Sequence, residues 1–195
     1  MKPKVLFATQ NKHKRDELAR LLPMIDVVML DNDVIMPEET GVTFEGNALL
    51  KARGFAQTRE MWVLADDSGL EVDALDGAPG VYSARYSSEG TDEANRQKVL
   101  QTLNGTPSSA TMVSVMALVS PTGNQVTTRG QVRGTITTAR GDYGFGYDPI
   151  FYVDSLKKTF GEVPPEEKSR LSHRALAIKQ LIDTPLWRNF LNGTD

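Results

Sequence analysis

Short apolar segments alternate with helical segments through the first third of this chain. Three of them have the length and apolar content of buried strands: residues 4–9, 27–30 and 61–65. Helices are predicted between them over residues 11–22 and 43–59, because Pro23 stops the first and Thr43 is a suitable N-cap for the second. This β/α alternation predicts an α/β fold.

The second half of the chain adds a different pattern. Residues 111–120 and 125–136 flank Pro121-Thr122-Gly123-Asn124, which is typical of a β-hairpin, so part of the sheet should be antiparallel. Helices are expected over residues 91–103 and from Ser172 to about residue 191, with a kink or break at Pro185. The 195 residues suit one domain, residues 1–195, with room for two lobes.

Composition narrows the classes of partner. The net charge of −3 argues against a general nucleic-acid binder, which would be basic. The absence of cysteine excludes disulfides and thiolate zinc sites. With no signal-peptide pattern and no apolar run of about 18 residues, we expect a cytoplasmic protein without a membrane segment.

Basic side chains crowd the start of the first predicted helix. Lys12, His13, Lys14 and Arg15 follow Thr9-Gln10-Asn11, where the helix dipole is already positive. Cations are unfavourable there unless an anion binds, and helix N-termini are ready phosphate sites. The alternative is a solvated basic turn that Asp16 and Glu17 offset.

Two acidic pairs are candidates for metal binding. Asp66-Asp67 follows the apolar segment 61–65 and precedes Ser68-Gly69, so we expect the strand to end there and a glycine turn to follow. Ligands bind beyond the carboxyl ends of strands in open α/β sheets. One carboxylate would hold Mg²⁺ or orient water while the other fixes the loop; the alternative is a capped turn. Glu38-Glu39 gains weight only if it folds beside Asp67.

Two further segments suit nucleotide binding. Phe145 lies between glycines in residues 144–149, where its ring is placed to stack on a base or to close the core. Ser172 is a good N-cap for the last helix, which puts His173 and Arg174 in its first turn. This second group of cations at a helix start suggests a polyanionic ligand, with a basic surface turn as the alternative.

Taken together and in this order, these segments resemble the inosine triphosphate pyrophosphatase family, also called the dITP/XTP pyrophosphatases. The match runs nearly from end to end and is most specific in two runs: Asp66-Asp67-Ser68-Gly69 and Gly77-Ala78-Pro79-Gly80-Val81-Tyr82-Ser83-Ala84-Arg85. Gln10 stands where some members of the family have glycine. The resemblance implies an elongated mixed sheet flanked by helices, two lobes with the active site in the cleft between them, and a homodimer.

The resemblance also implies roles for individual residues. Asp67 is the implied general base and metal ligand, and Glu38 the second metal carboxylate, with Glu39 beside it as the alternative. The other implied positions contact substrate: Thr9, Asn11, Lys14 and Lys51 at the phosphates, Ser68, Phe145 stacked on the purine with Gly146 and Tyr147, Asp148 at the nucleoside end, Lys168 and His173 along the nucleotide, and Arg174 near the purine 6-position.

The implied reaction is Mg²⁺-dependent hydrolysis of non-standard purine nucleoside triphosphates, such as those of inosine and xanthosine, to the monophosphate and pyrophosphate. Three alternatives remain open on the sequence alone. They are a pyrophosphatase acting on pyrimidine or modified nucleotides, a non-catalytic nucleotide-binding protein, and an RNA-binding module, which the acidic balance disfavours.

Overall fold

The computed structural model describes residues 2–31 and 33–194. Within these ranges the strands are β1 (Lys4–Phe7), β2 (Asp26–Met29), β3 (Val63–Val72), β4 (Ser109–Val119), β5 (Gln125–Ile136), β6 (Phe151–Val153) and β7 (Lys158–Thr159). They form one sheet in the order β2-β1-β3-β4-β5-β6-β7. Strand β1 is parallel to β2 and β3, whereas β6 is antiparallel to β5 and β7. The predicted mixed sheet is confirmed.

Six α-helices accompany these strands in the described ranges: α1 (Lys12–Leu21), α2 (Phe44–Arg59), α3 (Asp92–Leu103), α4 (Pro165–Leu171), α5 (His173–Ile182) and α6 (Pro185–Asn192). Thr43 caps α2 as predicted, and its hydroxyl accepts from the Gly46 N–H. The break at Pro185 is confirmed, because Thr184 caps a new helix there by accepting from the Trp187 N–H. Helix α4 and strands β6 and β7 were not predicted.

Strand β3 is longer than the sequence predicts. It does not end in a glycine turn after Asp66-Asp67 but continues to Val72, so that expectation is wrong. Gly69 makes the continuation possible, since a Cβ there would overlap the Ser83 hydroxyl and lie 2.6 Å from the Gly80 carbonyl oxygen. The Leu70 N–H then donates to Ser83 Oγ at 2.9 Å. Asp66 and Asp67 are therefore internal to a strand.

The chain divides into two compact units. Unit 1 comprises Met1–Asp67, Ser114–Gly130 and Arg174–Asp195, and unit 2 comprises Ser68–Val113 and Gln131–His173. In unit 1, side chains of α1, α5 and α6 share a core with β1, β3 and β4, including Phe7, Leu18 and Trp187. In unit 2, Leu70, Phe151 and Phe160 belong to a separate core. The predicted cleft between two lobes stays a prediction.

Every helix in the described ranges is too short or too polar to cross a bilayer.

Candidate active site

The start of α1 is shaped by its own side chains. The Asn11 N–H donates to Thr9 Oγ1 at 3.1 Å, and Asn11 Oδ1 caps the helix by accepting from the His13 and Lys14 N–H groups at 2.9 and 3.2 Å. Lys12 and His13 are exposed, but Lys14 is half-buried. The basic turn is thus divided, with one lysine turned towards the protein and the others towards solvent.

The first carboxylate of the pair, Asp66, is the centre of a buried ionic group in unit 1. Its Oδ2 lies 3.2 Å from Lys14 Nζ and accepts from Arg174 Nε and Nη2 at 3.3 and 3.0 Å. Arg174 Nη1 donates to Glu17. Burial opposes ionisation of Asp66, but the adjacent Lys14 and Arg174 outweigh it and hold its pKa well below the usual range. Asp66 is therefore a fixed anion.

Arg174 is held more tightly than the sequence indicates. It is only 1% exposed, and its guanidinium pairs with Asp66 and Glu17. Burial disfavours its charge, yet these two carboxylates raise its pKa. The predicted contact with the purine 6-position stays a prediction. The structure adds that Arg174 stabilises the ionised carboxylate of Asp66 by two hydrogen bonds.

The second carboxylate, Asp67, belongs to a chain of alternating charges. Lys51 Nζ, which projects from α2, lies 3.5 Å from Asp67 Oδ1 and 2.7 Å from Glu39 Oε1. The segment carrying Glu39 is tied to the same helix, because the Gly41 N–H donates to Asn47 Oδ1 at 2.8 Å and Gly54 leaves room for Pro37. Lys51 thus joins Glu39 to Asp67.

Burial and its neighbours set the ionisation of Asp67. Desolvation raises its pKa, although Lys51 and Lys14 act in the opposite direction. Lys51 shows the reverse balance: burial lowers its pKa, but Asp67, Asp66 and Glu39 raise it overall. A carboxyl group with a raised pKa beside a charged lysine has the properties of a general base.

The structure distinguishes the two glutamates between which the sequence could not choose. Glu39 is half-buried and contacts Lys51, whereas Glu38 is exposed. The metal role assigned to Glu38 stays a prediction, but Glu39 is the carboxylate that the structure joins to Asp67.

The residues present fit a divalent cation. Asp66 Oδ1 and Asp67 Oδ2 are buried and meet no donor of the described part of the chain in hydrogen-bond geometry, although the nearby Asn47 side chain acts to lower the pKa of Asp67. The seven charged groups named above, which we call the ionic cluster, carry a net charge of −1 when all are ionised: Lys14, Lys51, Arg174, Glu17, Glu39, Asp66 and Asp67. A polyphosphate would need added positive charge here. Among the described residues, no group of three or more His, Cys, Asp or Glu side chains is arranged to hold a metal ion. Mg²⁺ needs only one or two carboxylates where substrate phosphates supply further ligands.

In unit 2, residues 144–148 form a turn that we call the Phe145 loop. Asp148 Oδ2 accepts from Lys168 Nζ at 2.6 Å and from the Phe145 N–H at 2.9 Å. Gly144 has a φ of +76° and a side chain there would collide with the Asp148 carboxylate, so glycine is required. Lys168 Nζ also lies 5.1 Å from the centre of the Phe145 ring. Phe145, Asp148 and Lys168, which the resemblance implies to contact the nucleotide, are thus brought together.

The remaining predicted residues have different surroundings. Tyr147 packs in the core of unit 2 and its hydroxyl donates to the Ser83 carbonyl at 2.7 Å. His173 is buried at the start of α5, and Ser68 is half-buried in β3. Their substrate contacts stay predictions. Sequence reasoning missed Glu17, because nothing local links it to an arginine 157 positions away.

The chain is similar to known proteins over nearly its whole length. A protein of Leuconostoc mesenteroides named dITP/XTP pyrophosphatase is 46% identical and covers 94% of this chain and 98% of its own length. Another of that name, from an Exiguobacterium species, is 47% identical over 91% of this chain and 94% of its own. The solved structure of the Staphylococcus aureus Ham1 protein superposes with a TM-score of 0.81 at 40% identity, over 97% of this chain and 98% of that one.

The match to the Ham1 family model extends over residues 5–184, which is nearly the whole chain. All the elements of the ionic cluster and the Phe145 loop lie inside that range. The chain belongs to the Ham1 family.

Proposed function

We propose that this protein hydrolyses non-standard purine nucleoside triphosphates, those of inosine, deoxyinosine and xanthosine, to the monophosphate and pyrophosphate. The observation that carries the proposal is Asp67: a buried carboxylate with a raised pKa and one unpartnered oxygen, joined through Lys51 to Glu39. The names of the two relatives at 46% and 47% identity support the choice of substrate.

The ionic cluster supplies the groups that the reaction needs. Asp67 orients a water molecule and takes its proton as the water attacks the α-phosphate. Lys51 favours the ionised form of Asp67 and places a positive charge beside it. Lys14, at the start of α1, would bind phosphate oxygens and stabilise the leaving pyrophosphate.

Mg²⁺ is the proposed cofactor, and Asp67 would hold it together with Glu39 or, as the resemblance implies, Glu38. When bound, the ion neutralises charge on the phosphate oxygens. The net negative charge of the ionic cluster supports a requirement for a metal ion, because carboxylates already compensate the positive charges of its lysines.

We assign the nucleoside end to the Phe145 loop. Phe145 offers the ring on which the base stacks, and Lys168 and Asp148 fix the loop that carries it. His173 and Arg174 follow at the start of α5.

We further propose a homodimer, the commonest symmetric assembly, acting in the cytoplasm on the free nucleotide pool. Light scattering at micromolar concentration should give twice the 21.5 kDa of one chain; the monomer mass would contradict it.

The experiment is a pyrophosphate-release assay over a panel of nucleoside triphosphates. Inosine and xanthosine triphosphates should be the preferred substrates, with the monophosphate and pyrophosphate as primary products and no diphosphate intermediate. A chelator should abolish the activity and Mg²⁺ should restore it. Preference for pyrimidine nucleotides, binding without product, or release of orthophosphate would each refute the proposal.

A further inference from the structure

Two side chains of helix α3 hold the Phe145 loop by hydrogen bonds to the backbone of Gly146. The Gly146 N–H donates to Asp92 Oδ2 at 2.7 Å, and the Gly146 carbonyl oxygen accepts from Arg96 Nη1 at 2.6 Å. In each bond the partner of the backbone group is a charged side chain, and hydrogen bonds to charged groups are stronger than neutral ones. One residue of the loop is thus held through both of its backbone polar groups.

The positions of the Asp92 and Arg96 side chains are set within helix α3 itself. Asp92 and Arg96 are four residues apart and so share one face of α3. Arg96 Nη2 also donates to Glu93 at 2.5 Å, and Gln97 fixes the other oxygen of Glu93 at 2.8 Å. Arg96 is consequently only 16% exposed. Its guanidinium fork spans two acceptors, which a lysine cannot do in the same way.

The hydrogen bonds from Asp92 and Arg96 act on Gly146, the residue that follows Phe145. Phe145 is followed by Gly146, whose φ is +59°, and preceded by Gly144, whose φ is +76°. Glycines on both sides leave the backbone free to adopt other conformations unless contacts fix it. The Phe145 N–H is fixed by Asp148, and the next peptide groups are fixed by Asp92 and Arg96. The backbone is thereby fixed on both sides of the point from which the ring extends.

We propose that Asp92 and Arg96 are positioning residues that hold the Phe145 ring ready to stack on the nucleobase. The inference rests on the proposed function, in which Phe145 is the base platform. Neither residue is assigned a contact with the base, so in this proposal they act on nucleotide binding by holding Gly146 and, through it, the neighbouring Phe145.

The test is a double-mutant cycle with inosine triphosphate as substrate. Base–aromatic stacking makes Phe145→Ala worth about a 5- to 150-fold rise in KM. Arg96→Ala should raise KM about 3- to 10-fold with kcat within about twofold of wild type, because the loop loses its charged hydrogen bond at the Gly146 carbonyl. In the Phe145→Ala background, Arg96→Ala should change KM no further, because the group it positions is gone.

A second readout separates positioning from general damage. Calorimetry with Mg²⁺ should show weaker binding of inosine monophosphate to Arg96→Ala and unchanged binding of pyrophosphate, which has no base. Asp92→Ala should behave in the same way. The matched control is Arg133→Ala, which removes an exposed arginine of unit 2 that pairs with Asp73, and it should alter neither ligand.

Two outcomes would overturn the inference: an unchanged KM and monophosphate affinity in Arg96→Ala, or an equal effect of that change with and without Phe145. Failure of the proposed function looks different, since wild-type protein would then release no pyrophosphate from inosine triphosphate. The monophosphate titration would still decide the positioning role in that case.

Discussion

Replacement by asparagine should have opposite effects on thermal stability at Asp66 and Asp67, the adjacent carboxylates of β3. Asp66 is ionised because Lys14 and Arg174 hold it so, and its pKa is below the usual value. Asp67 is buried with less compensation, and its pKa is raised. Asp66→Asn removes a charge that stabilises the fold, whereas Asp67→Asn removes a charge that costs free energy at neutral pH.

The size of the first effect follows from the contacts. Removing one partner of a buried ion pair costs about 3–5 kcal/mol. Glu17 still holds Arg174 in the variant, so we expect the lower end, about 3 kcal/mol. For a chain of this length that corresponds to a fall in Tm of about 6–12 °C. Asp67→Asn should melt at or above the wild-type temperature at pH 7, since Lys51 keeps Glu39 as a partner.

The pH dependence of stability also differs in direction between Asp66 and Asp67. The stability that Asp66 contributes is fully present above its ordinary pKa of 3.8 and is lost only as the pH falls through its lowered folded pKa. For Asp67 the folded pKa is raised, so wild type is favoured at acid pH and loses that contribution as the pH rises through the folded pKa. Any stabilisation by Asp67→Asn should therefore shrink on acidification.

The assay is thermal unfolding followed by circular dichroism, without Mg²⁺ or nucleotide, together with turnover of inosine triphosphate. Asp67→Asn should lose about 10²–10⁴ in rate while keeping its Tm. An Asp66→Asn protein that melts with wild type, or an Asp67→Asn protein that melts several degrees lower, would refute the electrostatic argument.

Three further predictions concern the metal, the α1 turn and base selection. Glu39→Gln should raise the Mg²⁺ concentration needed for half-maximal activity about tenfold, and Glu38→Gln should not; the reverse result in a metal titration would make Glu38 the second metal carboxylate. Gln10 donates to the Val34 carbonyl at 3.0 Å, so Gln10→Gly should lower the Tm by about 1–3 °C with kcat retained; an unchanged melting curve would show that this exposed contact contributes nothing. Arg174→Ala should narrow the preference for inosine triphosphate over ATP in paired assays, because a guanidinium pairs with a keto oxygen and not an amine; a preserved ratio with a lowered Tm would mean that it only buttresses Asp66.

Local signals account for much of what the sequence predicted correctly. Thr43 and Thr91 begin α2 and α3, Asn104 ends α3 in the left-handed conformation, and Pro185 starts a new helix. Each depends on a few neighbouring residues and on backbone chemistry that any chain shares. The sequence likewise supplied the residue types of the site, which are carboxylates and basic side chains.

The tertiary structure decided which of those residues meet. Asp-Ser-Gly is locally typical of a turn, but contacts with Gly80 and Ser83 keep β3 extended through Gly69. The pairs Arg174–Glu17 and Arg96–Gly146 join residues 157 and 50 positions apart. Of the two neighbouring glutamates, it is Glu39 that pairs with a lysine on α2, twelve positions further along the chain. The sequence by itself determines the chemical groups and the local backbone, while their partners are chosen by packing between segments that are far apart in the chain, which no local pattern can register.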